Sequence, residues 1–189
     1  YLSVTFLFMA ILVAFLAAAL VIGVRREESM GHLRHLLAQP VSRIRWLLER
    51  LMAAITLLVI GGIVAGVCTW VGAEIQHAHV SFSSLLGAGL NVIPSALCVL
   101  GVGVLAVGLR PRATTGAAYG LLVWSLLVEI LAGTGSINHW VLDTSIFHQM
   151  AAAPAVAPNL TVVVGLCTVA VLLAVAGALS FRRRDLIEG

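Results

Sequence analysis

The stretch LMAAITLLVIGGIVAGVCTWVGA, residues 51–73, decides the fold of this chain. It carries no charged residue, and about 20 apolar residues are enough for a helix to cross the ~30 Å hydrocarbon core of a bilayer. Arg43, Arg45 and Arg50 lie just before it. A backbone surrounded by lipid must satisfy its own hydrogen bonds, so a run of this length predicts a membrane-spanning α-helix.

Four other runs have the same character. The chain is 61% hydrophobic and only 10% charged, which excludes an ordinary soluble domain. The sequence therefore predicts an all-α integral membrane protein in which residues 1–189 form a single transmembrane domain. The five predicted spans are Tyr1–Val24, Leu51–Ala73, Leu85–Leu109, Ala113–Gly133 and Leu160–Phe181.

The arginines predict the orientation of these spans. All eleven basic residues are arginines, and they lie within residues 25–50, 110–112 and 182–184. The other two connections, 74–84 and 134–159, contain none. Short loops that stay in the cytoplasm keep the Arg/Lys excess, so we expect a multi-pass protein with its first residues outside and its C-terminus in the cytoplasm. The basic charge indicates contact with anionic lipid, and nucleic-acid binding is not expected.

The sequence lacks the residues that a P-loop or a metal site requires. The chain contains no lysine, so it cannot contain a P-loop lysine and cannot power itself by that route. His77 and His79 form a His-Ala-His pair, but no further ligands stand at a recognisable spacing. We predict that this chain is not an enzyme, binds no cofactor and holds no metal ion.

The connection 25–50 predicts a cytoplasmic helix-turn-helix. Met30, Leu33, Leu36 and Leu37 recur at the spacing of one helical face. Pro40 then breaks the helix, and Ser42 is a good N-cap for a second helix that enters the span at 51–73. From the pattern alone, docking on a partner and lying on lipid are equally acceptable interpretations.

The connection 134–159 predicts short extracellular helices that are re-entrant or interfacial. It is longer than most links in helical bundles and too apolar for a solvated loop, and Trp140 is suited to the headgroup level.

Two residues within the spans are functional candidates. Glu129 is the one ionisable residue well inside a predicted span, about one turn from its outer end. A structural or gating role is favoured for it, with proton relay as the alternative. Pro94 removes a backbone donor, so it predicts a kink and is a hinge candidate.

Three segments resemble type-2 ABC exporter permeases. Residues 26–43, REESMGHLRHLLAQPVSR, are similar to that family's E-x-x-G-x-x-x-x-L-L-A-x-P-V-S-R segment. The ending FRRRDL, residues 181–186, resembles the closing F-x-R-R-D-L. Residues 140–148, WVLDTSIFH, resemble the D-x-S-P-F-x-H region of the antibiotic-exporter branch, with Ile146 in place of its Pro.

The resemblance implies a six-helix permease half whose first helix lies upstream of residue 1. It implies that the helix within 25–50 is a coupling helix that binds a separate ATP-binding subunit. The implied partners are two ABC ATPase subunits, which bind ATP and Mg²⁺, and a second permease half that is identical, fused or separate. The residues assigned to the ATPase contact are Glu27, Glu28, Gly31, His32, Leu33, Leu36, Leu37, Pro40, Val41 and Arg43.

The sequence thus leads to one expected function and two alternatives. The expected function is that of the transmembrane permease subunit of an ATP-driven exporter of hydrophobic or amphiphilic compounds, such as drugs or antibiotics, in a bacterial cell membrane. The alternatives are a proton-coupled secondary transporter that uses Glu129 and a membrane scaffold that transports nothing.

Overall fold

The computed structural model of the chain describes residues 2–29, 43–78, 80–133, 138–150 and 159–183. Regular structure in these ranges is entirely helical, which confirms the predicted all-α fold class. The helices are α1 (Leu2–Ser29), α2 (Arg43–Ile75), α3 (Phe82–Leu90), α4 (Ile93–Leu109), α5 (Thr114–Ala132), α6 (His139–Leu142) and α7 (Leu160–Arg183), with a 3-10 turn at Pro111–Ala113.

Five helical segments are long and apolar enough to cross a membrane, in agreement with the predicted number. Helix α2 departs most from the predicted boundaries, since it begins at Arg43 and not at Leu51. Its 33 residues give a length of about 50 Å, so its arginine-rich start extends beyond ~30 Å of hydrocarbon. The segments are Val4–Glu27, Ile44–Ile75, Phe82–Leu109, Pro111–Ala132 and Leu160–Arg182.

The third span is the centre of the bundle, and it is broken. Helices α3 and α4 are separated by a turn at Asn91 and Val92, and Pro94 lies in the first turn of α4, where its missing N–H costs nothing. Asn91 and Val92 keep right-handed helical backbone angles, so the interruption is local, and a kink and hinge motion at Pro94 stay predictions. Of this span 67% is buried, against 11% of the span in α7. Helix α4 packs against α1, α5 and α7, and α3 packs against α2.

Glycines allow the closest of these helix contacts. A Cβ atom on Gly62 would lie 2.9 Å from the carbonyl oxygen of Gly89, so α2 and α3 touch through their backbones. Between α4 and α7, a Cβ on Gly101 would lie 2.7 Å from the carbonyl oxygen of Ala170. The same interface brings Gly108 against the backbone of Gly177. Small residues at these positions let the helices approach to backbone contact.

Candidate functional site

Four chain segments meet at one end of the bundle, which we call the basic end. They are the end of α1, the start of α2, the turn at Pro111–Ala113 and the end of α7. An Arg50 nitrogen lies 2.6 Å from a Glu27 carboxylate oxygen, which joins α2 to α1. Arg25 Nη1 donates to Thr115 Oγ1 at 3.1 Å, which joins α1 to α5.

A separate apolar cluster holds the basic end together. Its buried members are Trp46 and Leu47 of α2, Val107 of α4 and Phe181 of α7. The Arg50–Glu27 side chains are 48% and 41% exposed, so that ion pair contributes about 0–1 kcal/mol. The cluster side chains are at most 8% exposed and join α2, α4 and α7 by close van der Waals packing, so the cluster is a firmer contact than the half-exposed ion pair.

Most of the residues predicted to contact an ATPase lie outside the described residues. Glu27, in the last turn of α1, forms the ion pair with Arg50. Glu28 lies in α1 and Arg43 begins α2, and their side chains are outside the described part of the structure. The predicted helix-turn-helix at 25–50 is therefore seen only at its two ends. The residues outside the described ranges are Gly31, His32, Leu33, Leu36, Leu37, Pro40 and Val41.

At the opposite end, residues 143–150 form a turn that docks on α5. The fully buried Ser145 donates from its hydroxyl to the carbonyl oxygen of Ser125 at 3.2 Å. The same hydroxyl oxygen accepts from the backbone N–H groups of Phe147 at 3.3 Å and His148 at 3.2 Å. Ser125 Oγ in turn accepts from the N–H of Ile146 at 3.4 Å. Two serines thus satisfy the buried polar backbone where the turn meets the helix.

The rest of the connection 134–159 is seen in part. Helix α6 is one turn long, and Trp140 in it is 80% exposed. Trp124 Nε1 donates to Thr144 Oγ1 at 2.9 Å and adds a second attachment between α5 and the 143–150 turn. His148 directly follows Phe147, one position earlier than the histidine of the D-x-S-P-F-x-H pattern. Residues 134–137 and 151–158 lie outside the described ranges.

The 143–150 turn brings a histidine to Glu129. His148 Nδ1 lies 4.0 Å from Glu129 Oε2, which is an ion-pair distance when the imidazole is protonated but too long for a hydrogen bond. The Glu129 side chain is 25% exposed, and its Oε2 is a buried acceptor with no hydrogen-bond partner among the described residues. The 143–150 turn therefore brings a carboxylate and an imidazole together at this end of the bundle.

Sequence reasoning found Glu129 but missed its surroundings. In the sequence His148 is only one of six histidines, and Ser125 and Trp124 look like ordinary members of an apolar run. Their partners lie about twenty residues away, so no local spacing reveals the contact.

His77 lies in the cap that ends helix α2. It has a positive φ of 53° immediately after α2, a conformation in which histidine is more frequent than most residues. Its N–H donates to the carbonyl oxygen of Glu74, and that of Ala78 donates to Ala73, so His77 terminates the helix as a Schellman cap. In the described residues no three His, Cys, Asp or Glu side chains come together as a metal site would require. His79 lies outside those residues.

Replacing Ser145 by Ala is expected to loosen the 143–150 turn. The substitution leaves the backbone N–H groups of Phe147 and His148 without their acceptor, at a cost of about 2 kcal/mol. Amide hydrogen exchange at Phe147 and His148 should then accelerate about thirtyfold. Ser83→Ala, at an exposed serine of α3, is the matched control and should leave exchange in the turn unchanged. Equal exchange in both variants would contradict the docking role of Ser145.

Comparison with known proteins gives one consistent result. Residues 1–182 match the family described as "Multidrug efflux system permease Rv1217c, C-terminal domain". The chain is also 24% identical, over 187 residues, to the multidrug efflux system permease protein Rv1217c of Mycobacterium tuberculosis. That alignment covers 98% of this chain and 34% of the relative, so the chain spans about a third of the length of the protein it matches. With five helices long enough to cross a bilayer and a family match over nearly its full length, the chain belongs to the family of the C-terminal domain of this efflux permease.

Proposed function

We propose that this chain is the transmembrane permease part of an ABC exporter that moves hydrophobic or amphiphilic compounds out of a bacterial cell. The observation that carries the proposal is the family match over residues 1–182, because the protein that names the family is a multidrug efflux permease. The absence of lysine from residues 1–189 agrees with it, since this stretch cannot contain a P-loop lysine and cannot itself supply energy from ATP by that route. The chain acts as a permease and not as an enzyme.

The basic end is where the energy would enter. The connection between α1 and α2 leaves one helix of the bundle and returns into the next, and Glu27, Arg50 and the apolar cluster tie those helices together. A force on the connection would therefore move α1 and α2 as a unit. Two ATPase subunits, with ATP and Mg²⁺ bound to them, would supply that force by closing on each other. In this arrangement the basic end faces the cytoplasm and residues 134–159 face outside.

A second permease half completes the proposed transporter. The relative is about three times as long as its matched stretch, which leaves room for another permease half in one polypeptide. Drug-like compounds would pass between the two halves. Apolar helix surfaces suit amphiphilic cargo but do not distinguish one such compound from another.

Reconstitution of the full-length permease tests this function. With its ATPase partner in liposomes, it should accumulate a cationic amphiphilic dye when ATP is added. Omission of either ATP or the ATPase should abolish uphill transport.

Proton coupling is the alternative to test, because the unsatisfied Oε2 of Glu129 lies beside His148. In that alternative a proton gradient alone drives transport, and Glu129→Gln abolishes it. If the permease moves the dye uphill on a proton gradient without its ATPase, the proposed function is wrong. A permease that shows neither activity in the presence of its partner would indicate the scaffold alternative.

A further inference from the structure

An apolar groove of about 220 Å³ lies between α2, α4 and α7. Every side chain that lines it is apolar. The groove opens at the surface of the bundle, where Leu48, Val171 and Val175 are 48%, 60% and 50% exposed. Its floor contains Gly101, whose contact with Ala170 brings α4 and α7 together.

The size of the groove limits what it can hold. Pockets for drug-sized ligands have volumes of about 300–1,000 Å³, so this one is too small for the proposed cargo. A further helix, about 10 Å across, could lie over the mouth of the groove but could not fill it. From Ala170 to Ala178 the groove follows α7 for about 12 Å, which is most of the ~15 Å depth of one leaflet. A single flexible hydrocarbon chain fits both dimensions.

Basic side chains continue the groove toward the basic end. Ala174, Ala178 and Arg182 follow one another at intervals of four residues, so they share one stripe of α7. Arg182 is exposed and lies about 6 Å beyond Ala178 along the helix axis. On the other wall, Arg45 precedes the lining residue Leu48 by three positions.

The same mouth also carries a carboxylate. Arg45 Nε donates to Glu49 Oε1 at 3.1 Å, and both side chains are largely exposed. Arg45 and Glu49 balance each other's charge, so Arg182 leaves the mouth with a net positive charge.

We propose that this groove binds an anionic phospholipid, with one acyl chain between α2, α4 and α7 and the headgroup phosphate at Arg182 and Arg45. The inference goes beyond the proposed transport function, because this lipid is a bound structural component and not a cargo. Its site is defined by the apolar lining and the arginines, so it does not depend on which side of the membrane the basic end faces. Such a lipid would stabilise α7, whose membrane span is the least buried of the five.

Photocrosslinking of the full-length permease in nanodiscs tests the proposal. The probes are phosphatidylglycerol and phosphatidylcholine that carry a diazirine at the end of one acyl chain. We expect the phosphatidylglycerol probe to label the groove, and Ala174→Phe to remove most of that labelling by filling it. Ala176→Phe is the matched control, since Ala176 is an exposed alanine on the opposite face of α7 and should keep full labelling.

Arg182→Gln tests the headgroup contact without altering the core. Loss of one basic residue near a membrane surface corresponds to about a fivefold loss of preference for phosphatidylglycerol over phosphatidylcholine. Arg112→Gln, at an exposed arginine of the 3-10 turn, removes the same charge and should change the preference less.

Three results would overturn the proposal. The first is equal labelling of the groove in Ala174→Phe and Ala176→Phe, and the second is equal labelling of the native groove by the two lipid probes. The third comes from a separate experiment in which the photocrosslinking amino acid benzoylphenylalanine replaces Val175. Capture of another segment of the permease, instead of lipid, would show that protein covers the groove.

Discussion

Replacing Leu33 and Leu37 together by Asp is expected to abolish binding of the ATPase partner. Both leucines lie on the apolar face predicted for the connection between α1 and α2. If that face fills a groove of the ATPase, the double substitution removes two buried side chains worth about 1.5–3 kcal/mol each. It also places two charges in an apolar contact. A loss of at least about 3 kcal/mol, or more than a hundredfold in Kd, should result.

The measurement is the affinity of the purified ATPase for the full-length permease in nanodiscs, combined with ATP-driven dye transport. His35→Asp is the matched control, because it introduces the same charge on the polar side of the same predicted helix. It should retain binding to within a few fold. If the double variant binds the ATPase as tightly as the native permease, the apolar face contacts something else, and lipid is then the favoured surface.

Features set by consecutive residues could be predicted from this sequence, whereas contacts between distant residues could not. The five spans follow from uninterrupted apolar runs, a property of consecutive residues that needs no knowledge of neighbours. The break in the third span was predictable for the same reason, since Pro94 acts on its own helix. The early start of α2 could also be predicted, because Ser42 is a good N-cap residue and the structure begins the helix at the next residue, Arg43.

Contacts between helices were less accessible to sequence reasoning. Gly62 and Gly66 form a GxxxG pair, and the structure packs both against α3. Gly116 and Gly120 have the same spacing, yet a Cβ on either would meet no described atom within 4 Å. A GxxxG spacing allows two helices to approach closely, but it does not show whether another helix packs there.

The candidate site at Glu129 also depends on contacts between distant residues. Glu129 could be selected because a carboxylate inside an apolar run is unusual. Its neighbour His148 enters only because Ser145 docks the 143–150 turn on Ser125. Hydrogen bonds between residues twenty positions apart leave no periodic signal, so the pair was visible only in three dimensions.

Gly177→Ala is expected to destabilise the protein, although Gly→Ala usually strengthens a helix. At this position in α7 a Cβ would lie 2.5 Å from the carbonyl oxygen of Val104, and the backbone of α4 cannot turn aside as a side chain would. The helices must separate, which weakens their packing along the whole interface. Overpacking of this kind costs about 1–3 kcal/mol, and the larger Gly177→Val should cost more.

The matched control is Gly165→Ala in the same helix, where an added Cβ would meet no described atom within 4 Å. There the substitution should be neutral or stabilising by up to about 1 kcal/mol, because alanine loses less backbone entropy than glycine. Thermal unfolding of the detergent-solubilised full-length permease, followed by size-exclusion chromatography, should therefore shift in opposite directions for the two alanine variants. A shared direction would mean that α4 and α7 are not held at backbone contact in the membrane protein. The groove that depends on their contact at Gly101 and Ala170 would then lose its floor.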